Sequence, residues 1–173
     1  MRNTKLLFIT EAAVIAALYV VLTLLANAFG LANYAIQVRF SEALTILPYF
    51  TPAAIPGLFV GCILSNTLTG CLPLDTVFGS LATLAGAVCT YLIGKKVKNQ
   101  TLAKWLSPFP PIIANMIVVP QVLMRVYQFE GSLLYFTITV GAGEIISCGI
   151  LGMMLLYALT PRKSAIFRLD QIA

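Results

Sequence analysis

Apolar residues form six runs along the chain, separated by short polar or proline-rich segments. About 20 apolar residues suffice for a helix to cross a bilayer. The pattern therefore predicts an all-α membrane protein, a bundle of about six transmembrane helices that forms one domain over residues 1–173. The predicted spans are residues 6–29, 42–50, 58–68, 76–93, 112–128 and 133–159.

One carboxylate, Glu144, lies near the middle of the last apolar run. A charged side chain at the bilayer centre costs about 2.5–3.5 kcal/mol on insertion scales, and such residues mark ligand or ion sites. The alternatives are a structural pairing with a neighbouring helix and a carboxyl group that stays protonated. Helical spacing places Glu144 on a polar and small-residue stripe, typical of a pocket wall, with Thr137, Gly141, Ser147 and Cys148.

Small residues recur one turn apart in the first span, where Ala12 pairs with Ala16 and Ala13 with Ala17. Such pairs flatten a helix surface and let another helix approach closely within lipid. This surface either docks a partner protein or packs against the protein's own helices.

Other polar residues concentrate toward the ends of the spans that the charge pattern below places outside the cell. Glu42 opens the second span, where it also suits the helix dipole, and Asp75 is expected to cap the fourth helix. Arg125 either contacts a ligand or extends to the membrane surface. The fifth span should face inward, because amides and an internal proline are unfavourable against lipid. The candidate binding residues are Tyr34, Arg39, Glu42, Asn66, Asp75, Asn115, Gln121, Arg125, Tyr127 and Glu144.

The composition supports a membrane protein, since 60% of residues are hydrophobic, 10% are charged and the mean hydropathy is +0.94. Basic residues precede the first span, recur in the polar interval 95–104 and follow the last span. By the positive-inside rule, both termini and this interval, expected to be a loop, are cytoplasmic. The scattered basic residues do not favour nucleic acid as a partner.

The chain has four cysteines without metal-ligand spacing and no histidine, so no metal site is expected. The cysteines are predicted to be buried thiols, with a Cys62–Cys71 bridge as the alternative. No nucleotide-binding loop or hydrolytic carboxylate pair is evident, which disfavours an enzyme. The chain is also short and lacks an obvious inverted repeat, so transport would require a partner.

Three features of the sequence occur together in one order: the alanine pairs near the start of span one, residues 38–44 (VRFSEAL), and residues 70–75 (GCLPLD) followed by 78–83 (FGSLAT). Together they resemble the substrate-binding S components of energy-coupling-factor transporters, and within that group the QueT family. The likeness extends over essentially the whole chain.

The resemblance implies a multi-pass subunit of the bacterial plasma membrane, working in an ABC-type importer with a transmembrane coupling protein and two ATPase subunits. This subunit would capture its ligand from outside and hold no cofactor, while ATP and magnesium would bind the partners. The docking surface implied for the coupling protein comprises Ala12, Ala13, Ala16 and Ala17.

The implied substrate is a queuosine precursor, either queuine or a deazaguanine precursor. A carboxylate would accept the two donors of its guanine-like edge, an amide or arginine would serve its carbonyl, and an aromatic ring would stack on the base. The alternatives are an S component for riboflavin, thiamine or folate, a small intramembrane enzyme using Glu144 with Asp75, and a structural subunit without a ligand.

Overall fold

The computed structural model describes residues 4–31 and 38–167, and within these ranges the regular structure is entirely helical. The predicted all-α class is therefore confirmed. The segments are α1 (Thr4–Ala28), a 3₁₀ helix (Phe40–Tyr49), α2 (Ala54–Leu68), α3 (Pro73–Lys96), α4 (Gln100–Leu106), α5 (Phe109–Arg125), α6 (Leu133–Glu144), a π-helical segment (Ile145–Leu151), α7 (Gly152–Leu159), a 3₁₀ turn (Thr160–Arg162) and α8 (Lys163–Ile166).

Four helical stretches in the described part are long and apolar enough to cross a membrane. They are α1, α3, the stretch Gln100–Arg125 that contains α4 and α5, and the stretch Leu133–Ile166 that begins with α6. Helix α2 is shorter but also apolar. Each of the six predicted spans thus corresponds to a helical segment, although not all six are long enough to span alone.

The second predicted span, 42–50, is a 3₁₀ helix in the structure. Ten residues at about 2.0 Å each give roughly 20 Å, less than the hydrocarbon core of a bilayer. Pro48 lies inside this helix and has no backbone N–H to donate. The segment packs instead against α1, α3, α7 and the π-helical segment, so it forms a central buried element of the bundle.

The expected loop at 95–104 is partly helical, because α4 begins within it. The side chain of Asn99 caps this helix, accepting hydrogen bonds from the backbone N–H groups of Thr101 (3.1 Å) and Leu102 (3.2 Å). The prediction of a simple loop was wrong, since the amide cap at Asn99 allows a short helix to start there.

Helices α1 and α2 approach closely through small residues. A Cβ atom added at Gly61 would lie 2.8 Å from the Tyr19 Cβ atom, and one added at Gly57 would lie 2.7 Å from the Ala12 carbonyl oxygen. Ala16 is buried at the same contact. The pair Ala12 and Ala16 therefore packs inside the protein, one of the two expected uses of the alanines.

The last span is interrupted at its centre by the π-helical segment, which begins directly after Glu144. π-Helical turns are rare in proteins, and many of those that do occur lie at functional sites. Nothing in the apolar pattern of this run predicted it. The change of helical winding therefore coincides with the buried carboxylate.

Candidate functional site

Two neighbouring cavities lie between the helices at one end of the bundle. The outer cavity, of about 270 Å³, is bordered by the C-terminal end of α1, the N-terminal end of α3 and the end of α5. The deep cavity, of about 30 Å³, is bordered by both Glu42 and Glu144. Arg39, Asp75 and Val119 line both cavities, so the two adjoin.

Glu42 is buried in the deep cavity, with 2% of its surface exposed. The Tyr19 hydroxyl donates a hydrogen bond to its Oε1 atom. Its Oε2 atom is buried and has no hydrogen-bond partner among the residues that the structure describes. Buried polar atoms are normally paired, so this oxygen is one that a ligand would satisfy.

Glu144 lies across the deep cavity and is also buried. Asn115 Nδ2 donates to its Oε1 atom at 2.9 Å, and the Cys148 thiol donates to its Oε2 atom at 3.1 Å. Asn115 belongs to α5, so the expected inward orientation of that helix is confirmed at this position. The two contacts fix the carboxylate against the cavity.

Asp75 borders both cavities and is bound by Tyr127, whose hydroxyl donates to its Oδ2 atom at 2.8 Å. The same hydroxyl accepts from the backbone N–H of Leu72 at 3.2 Å. Burial raises the pKa of the Tyr127 phenol, which stays protonated at neutral pH and donates to Asp75. Asp75 does not cap α3 as expected, because that helix already begins at Pro73.

Arg39 directs its guanidinium to Asn66, with Nη1 and Oδ1 separated by 3.5 Å. Within the described part of the chain it is the cation that lines the two cavities, beside the carboxylates of Glu42, Asp75 and Glu144. The site thus has more acidic than basic side chains.

Most of the predicted binding residues border these cavities, although their binding roles stay predictions. Gln121 and Arg125 do not line either cavity, and Arg125 is exposed at the end of α5. Tyr34 lies outside the described residues. The residues brought together are Arg39, Glu42, Asn66, Asp75, Asn115, Tyr127 and Glu144.

The predicted stripe around Glu144 is largely buried, with Gly141, Ser147 and Cys148 all inside the protein. Thr137 is only partly buried, and its hydroxyl donates to the Leu133 carbonyl oxygen of the same helix at 2.8 Å. The stripe therefore faces the interior from Gly141 onward.

Several residues at the site were missed by sequence reasoning. Tyr19, which binds Glu42, and Thr23 and Asn27, which line the outer cavity, all belong to α1. These three recur every four residues, and this helical period of polar side chains in an apolar run was a usable signal. Phe129 also lines the outer cavity. Its place in a short turn gave no periodicity to detect.

A set of potential metal ligands arises only in the fold. One ligand atom each from Glu42, Glu144 and Cys148 lies within 4.8 Å of the others. Their positions are 42, 144 and 148, so sequence spacing gave no metal motif. The set offers two oxygens and one sulfur in a buried place.

The four cysteines, all described by the structure, are free thiols, so the alternative of a Cys62–Cys71 bridge is excluded in this conformation. Cys62 and Cys148 are buried as predicted. Cys71 is partly buried and Cys89 is exposed on α3, so burial was wrongly predicted for Cys89. When a whole helix is hydrophobic, its sequence does not distinguish a thiol that faces lipid from one that faces the protein interior.

The second alanine pair has an environment different from that of the first. Ala13 and Ala17 are exposed on α1, in contrast to Ala16 on the opposite side. Exposed neighbours such as Val14 and Leu18 extend this apolar surface. One pair therefore holds the bundle together while the other remains available to lipid or a partner.

Comparison with known protein families identifies the family of this chain. The family model described as "QueT transporter" matches residues 9–161 of the chain. The chain belongs to the QueT transporter family. A curated relative from Lactococcus lactis subsp. cremoris (strain MG1363), described as "Queuosine precursor transporter QueT", is 34% identical over 84 residues. The match covers 49% of this chain and 49% of that relative, about half the length of each.

No solved structure matches the chain. Membership of the QueT family agrees with the four helices that can cross a membrane, so the chain is a membrane-embedded member of a transporter family. The family match confirms the resemblance of the sequence motifs to the QueT family. The cavities described above are then the candidate ligand site of this family member.

Proposed function

We propose that this chain captures a queuosine precursor, queuine or a deazaguanine precursor, from the extracellular side of a bacterial plasma membrane. The observation that carries the proposal is the pair of adjoining cavities, in which carboxylates, amides, a guanidinium and aromatic rings converge. The description of the Lactococcus lactis relative as a queuosine precursor transporter supports the same substrate.

The outer cavity suits a bicyclic purine-like base. Asp75 offers carboxylate oxygens for the adjacent donors of a guanine-like edge, and Asn66 or Arg39 offers donors for its carbonyl group. The rings of Tyr127 and Phe129 lie with centroids 5.6 Å apart and an interplanar angle of 30°, a surface on which a base can stack.

The charge distribution supports an extracellular position for the outer cavity. The outer cavity lies at the bundle end where α3 begins, while Lys95 and Lys96 lie at its other end. Because basic residues stay cytoplasmic, the cavity faces outward. A ligand would therefore enter from outside the cell.

In this proposal the chain is the S component of an energy-coupling-factor importer. It binds substrate and docks through the exposed alanines Ala13 and Ala17 to a transmembrane coupling protein. Two ATPase subunits bind ATP and magnesium and supply the energy. The chain itself performs no chemistry on its ligand.

Direct binding to the purified protein tests the substrate. Queuine and the deazaguanine precursors should bind at least about 100-fold tighter than riboflavin, thiamine or folate. Riboflavin and thiamine lack the guanine-like edge, and folate has such an edge on its pterin ring but extends it with a tail too large for the cavity of about 270 Å³. Val119→Phe, which fills both cavities, should weaken binding by at least about tenfold, a loss of about 1.4 kcal/mol. The matched control is Ile117→Phe, a change at an exposed position of the same helix.

Tighter binding of one of the three vitamins would assign the chain to another S-component class. Chemical turnover of a bound ligand by the isolated chain would instead indicate an intramembrane enzyme. Equal effects of Val119→Phe and Ile117→Phe would remove the cavities from the binding site.

A further inference from the structure

The two cavities differ in size, which indicates a ligand with one large and one small part. A cavity of about 10–15 Å³ holds one buried water, so the deep cavity of about 30 Å³ has room for a group of only a few atoms. The adjoining outer cavity of about 270 Å³ has room for a ring system. A ligand that fills both has a ring system with a short arm.

The lining of the deep cavity specifies the chemistry of that arm. Carboxylate oxygens of Glu42 and Glu144 lie within 4.8 Å of each other. An ammonium nitrogen that donates to two oxygens at about 2.8 Å, along tetrahedral N–H directions, needs those oxygens roughly 4.6 Å apart. The Oε2 atom of Glu42 is buried and, among the described residues, has no hydrogen-bond partner.

The charge around the deep cavity favours a cation. Two buried carboxylates that face each other are costly unless a positive group compensates them. Arg39 also lines this cavity, but in the described structure its hydrogen bond goes to Asn66 and not to either glutamate. A second cation, brought by the ligand, would complete the site.

We propose that the deep cavity is a receptor for a primary ammonium group on a short arm of the ligand, held between Glu42 and Glu144. The inference rests on the proposed function and names the preferred substrate within it, a deazaguanine with an aminomethyl arm. A neutral arm brings no second cation to the two carboxylates, and Arg39 is then the cation that lines the deep cavity within the described part of the chain. A bulky substituent on the amine, as in queuine, exceeds the space available.

A matched series of ligands tests this inference on the purified full-length protein. Aminomethyl-deazaguanine should bind at least about 100-fold tighter than cyano-deazaguanine, which has the same ring and a neutral arm. It should also bind more tightly than queuine. Isothermal titration calorimetry measures the three dissociation constants under identical conditions.

Variants that remove the charge of one glutamate test whether Glu42 and Glu144 cause the preference for the aminomethyl ligand. Glu42→Gln and Glu144→Gln keep an oxygen for Tyr19 and Asn115, so both should fold. Each should lose at least about tenfold in affinity for the aminomethyl ligand and less than about threefold for the cyano ligand. Unchanged cyano binding shows that the fold and the outer cavity are intact. Glu130→Gln, at an exposed turn position, is the control and should change neither affinity.

Other outcomes overturn the inference in distinguishable ways. Equal binding of the aminomethyl and cyano ligands, or a preference that survives both glutamine variants, removes the ammonium receptor but leaves the proposed function standing. Absence of binding by every deazaguanine removes both. A thermal stabilisation of the ligand-free protein by Mn²⁺ or Zn²⁺ that both variants abolish would assign the deep cavity to a metal instead.

Discussion

At the scale of single residues, the hydroxyl of Tyr127 joins two parts of the chain that are 52 positions apart. It donates to Asp75 and accepts from the backbone of Leu72, which holds the start of α3 against the end of α5. These are the two helices between which the outer cavity opens. One hydroxyl group therefore sets part of the shape of the candidate site.

We predict that Tyr127→Phe destabilises the protein by about 1 kcal/mol, because it removes hydrogen bonds at a half-buried position. It should also weaken binding, since Asp75 loses the donor that orients it. Thermal unfolding in detergent and ligand titration measure the two effects. Tyr135→Phe, at an exposed position of α6, is the matched control. A variant with wild-type stability and affinity would contradict the assigned role of the hydroxyl.

The pairing of residues within the deep cavity explains why a site can be found only partly from sequence. Glu144 was conspicuous as a carboxylate inside an apolar run, and that signal led to the cavity. Its opposition to Glu42 depends on how the 3₁₀ helix packs against the π-helical segment. Such long-range packing leaves no local periodicity, so it could not be predicted from the sequence.

At the scale of helices, α1 uses its small residues on two sides for different purposes. Ala12 and Ala16 lie against Gly57 and Gly61 of α2, where an added Cβ would overlap atoms of α1. Ala13 and Ala17 are exposed on the other side. The single alanine pattern in the sequence therefore separates into an internal contact and a free apolar surface.

This separation gives a prediction about transport. Ala13→Trp and Ala17→Trp should reduce uptake in cells that contain the importer proposed above by at least about tenfold, because a bulky ring prevents the close approach of a partner helix. Ligand binding to the isolated chain should remain within about threefold of wild type, since neither residue lines a cavity. Uptake of labelled precursor and titration of purified protein provide the two measurements.

A contrasting variant is Gly61→Val, which changes the buried contact between α2 and α1 instead of the exposed surface of α1. It should destabilise the isolated chain by about 1–3 kcal/mol, because its side chain is forced against Tyr19. Val60→Leu, at the neighbouring exposed position, should be neutral for the stability of the chain.

For the tryptophan variants at Ala13 and Ala17, normal uptake by both would show that the exposed surface of α1 is not the docking site.

Prediction of the helices succeeded where the pattern was long. The runs that became α1, α3 and the last span were placed within a few residues, because hydrophobic length dominates in a bilayer. The 3₁₀ geometry of Phe40–Tyr49 and the π-helical segment were not predicted. Both depend on shifts of single backbone hydrogen bonds, which hydropathy does not register.

At the scale of the whole molecule, the cavities lie where separate elements meet rather than within one element. The outer cavity alone is lined by residues of α1, α2, α3 and α5. The deep cavity adds Glu42 from the 3₁₀ helix and Glu144 from α6. Any ligand bound there contacts most of the bundle at once, so its binding energy stabilises the arrangement of the entire fold.

We therefore predict that a bound precursor raises the melting temperature of the purified chain. At a concentration 100 times the dissociation constant, a ligand that binds only the folded state adds about 2.7 kcal/mol. For a chain of this size that corresponds to about 5–10 °C. Differential scanning fluorimetry with increasing ligand measures the shift, which should grow with the logarithm of concentration because the linkage is one of mass action.

The variants Val119→Phe and Ile117→Phe separate specific from general stabilisation. The first blocks the cavities and should abolish the shift, whereas the second replaces a lipid-facing side chain and should retain it. A shift that persists in Val119→Phe would mean that the ligand binds elsewhere. Absence of a shift with every deazaguanine and vitamin in the wild type would favour a structural subunit, because a ligand cannot bind the folded state specifically without stabilising it.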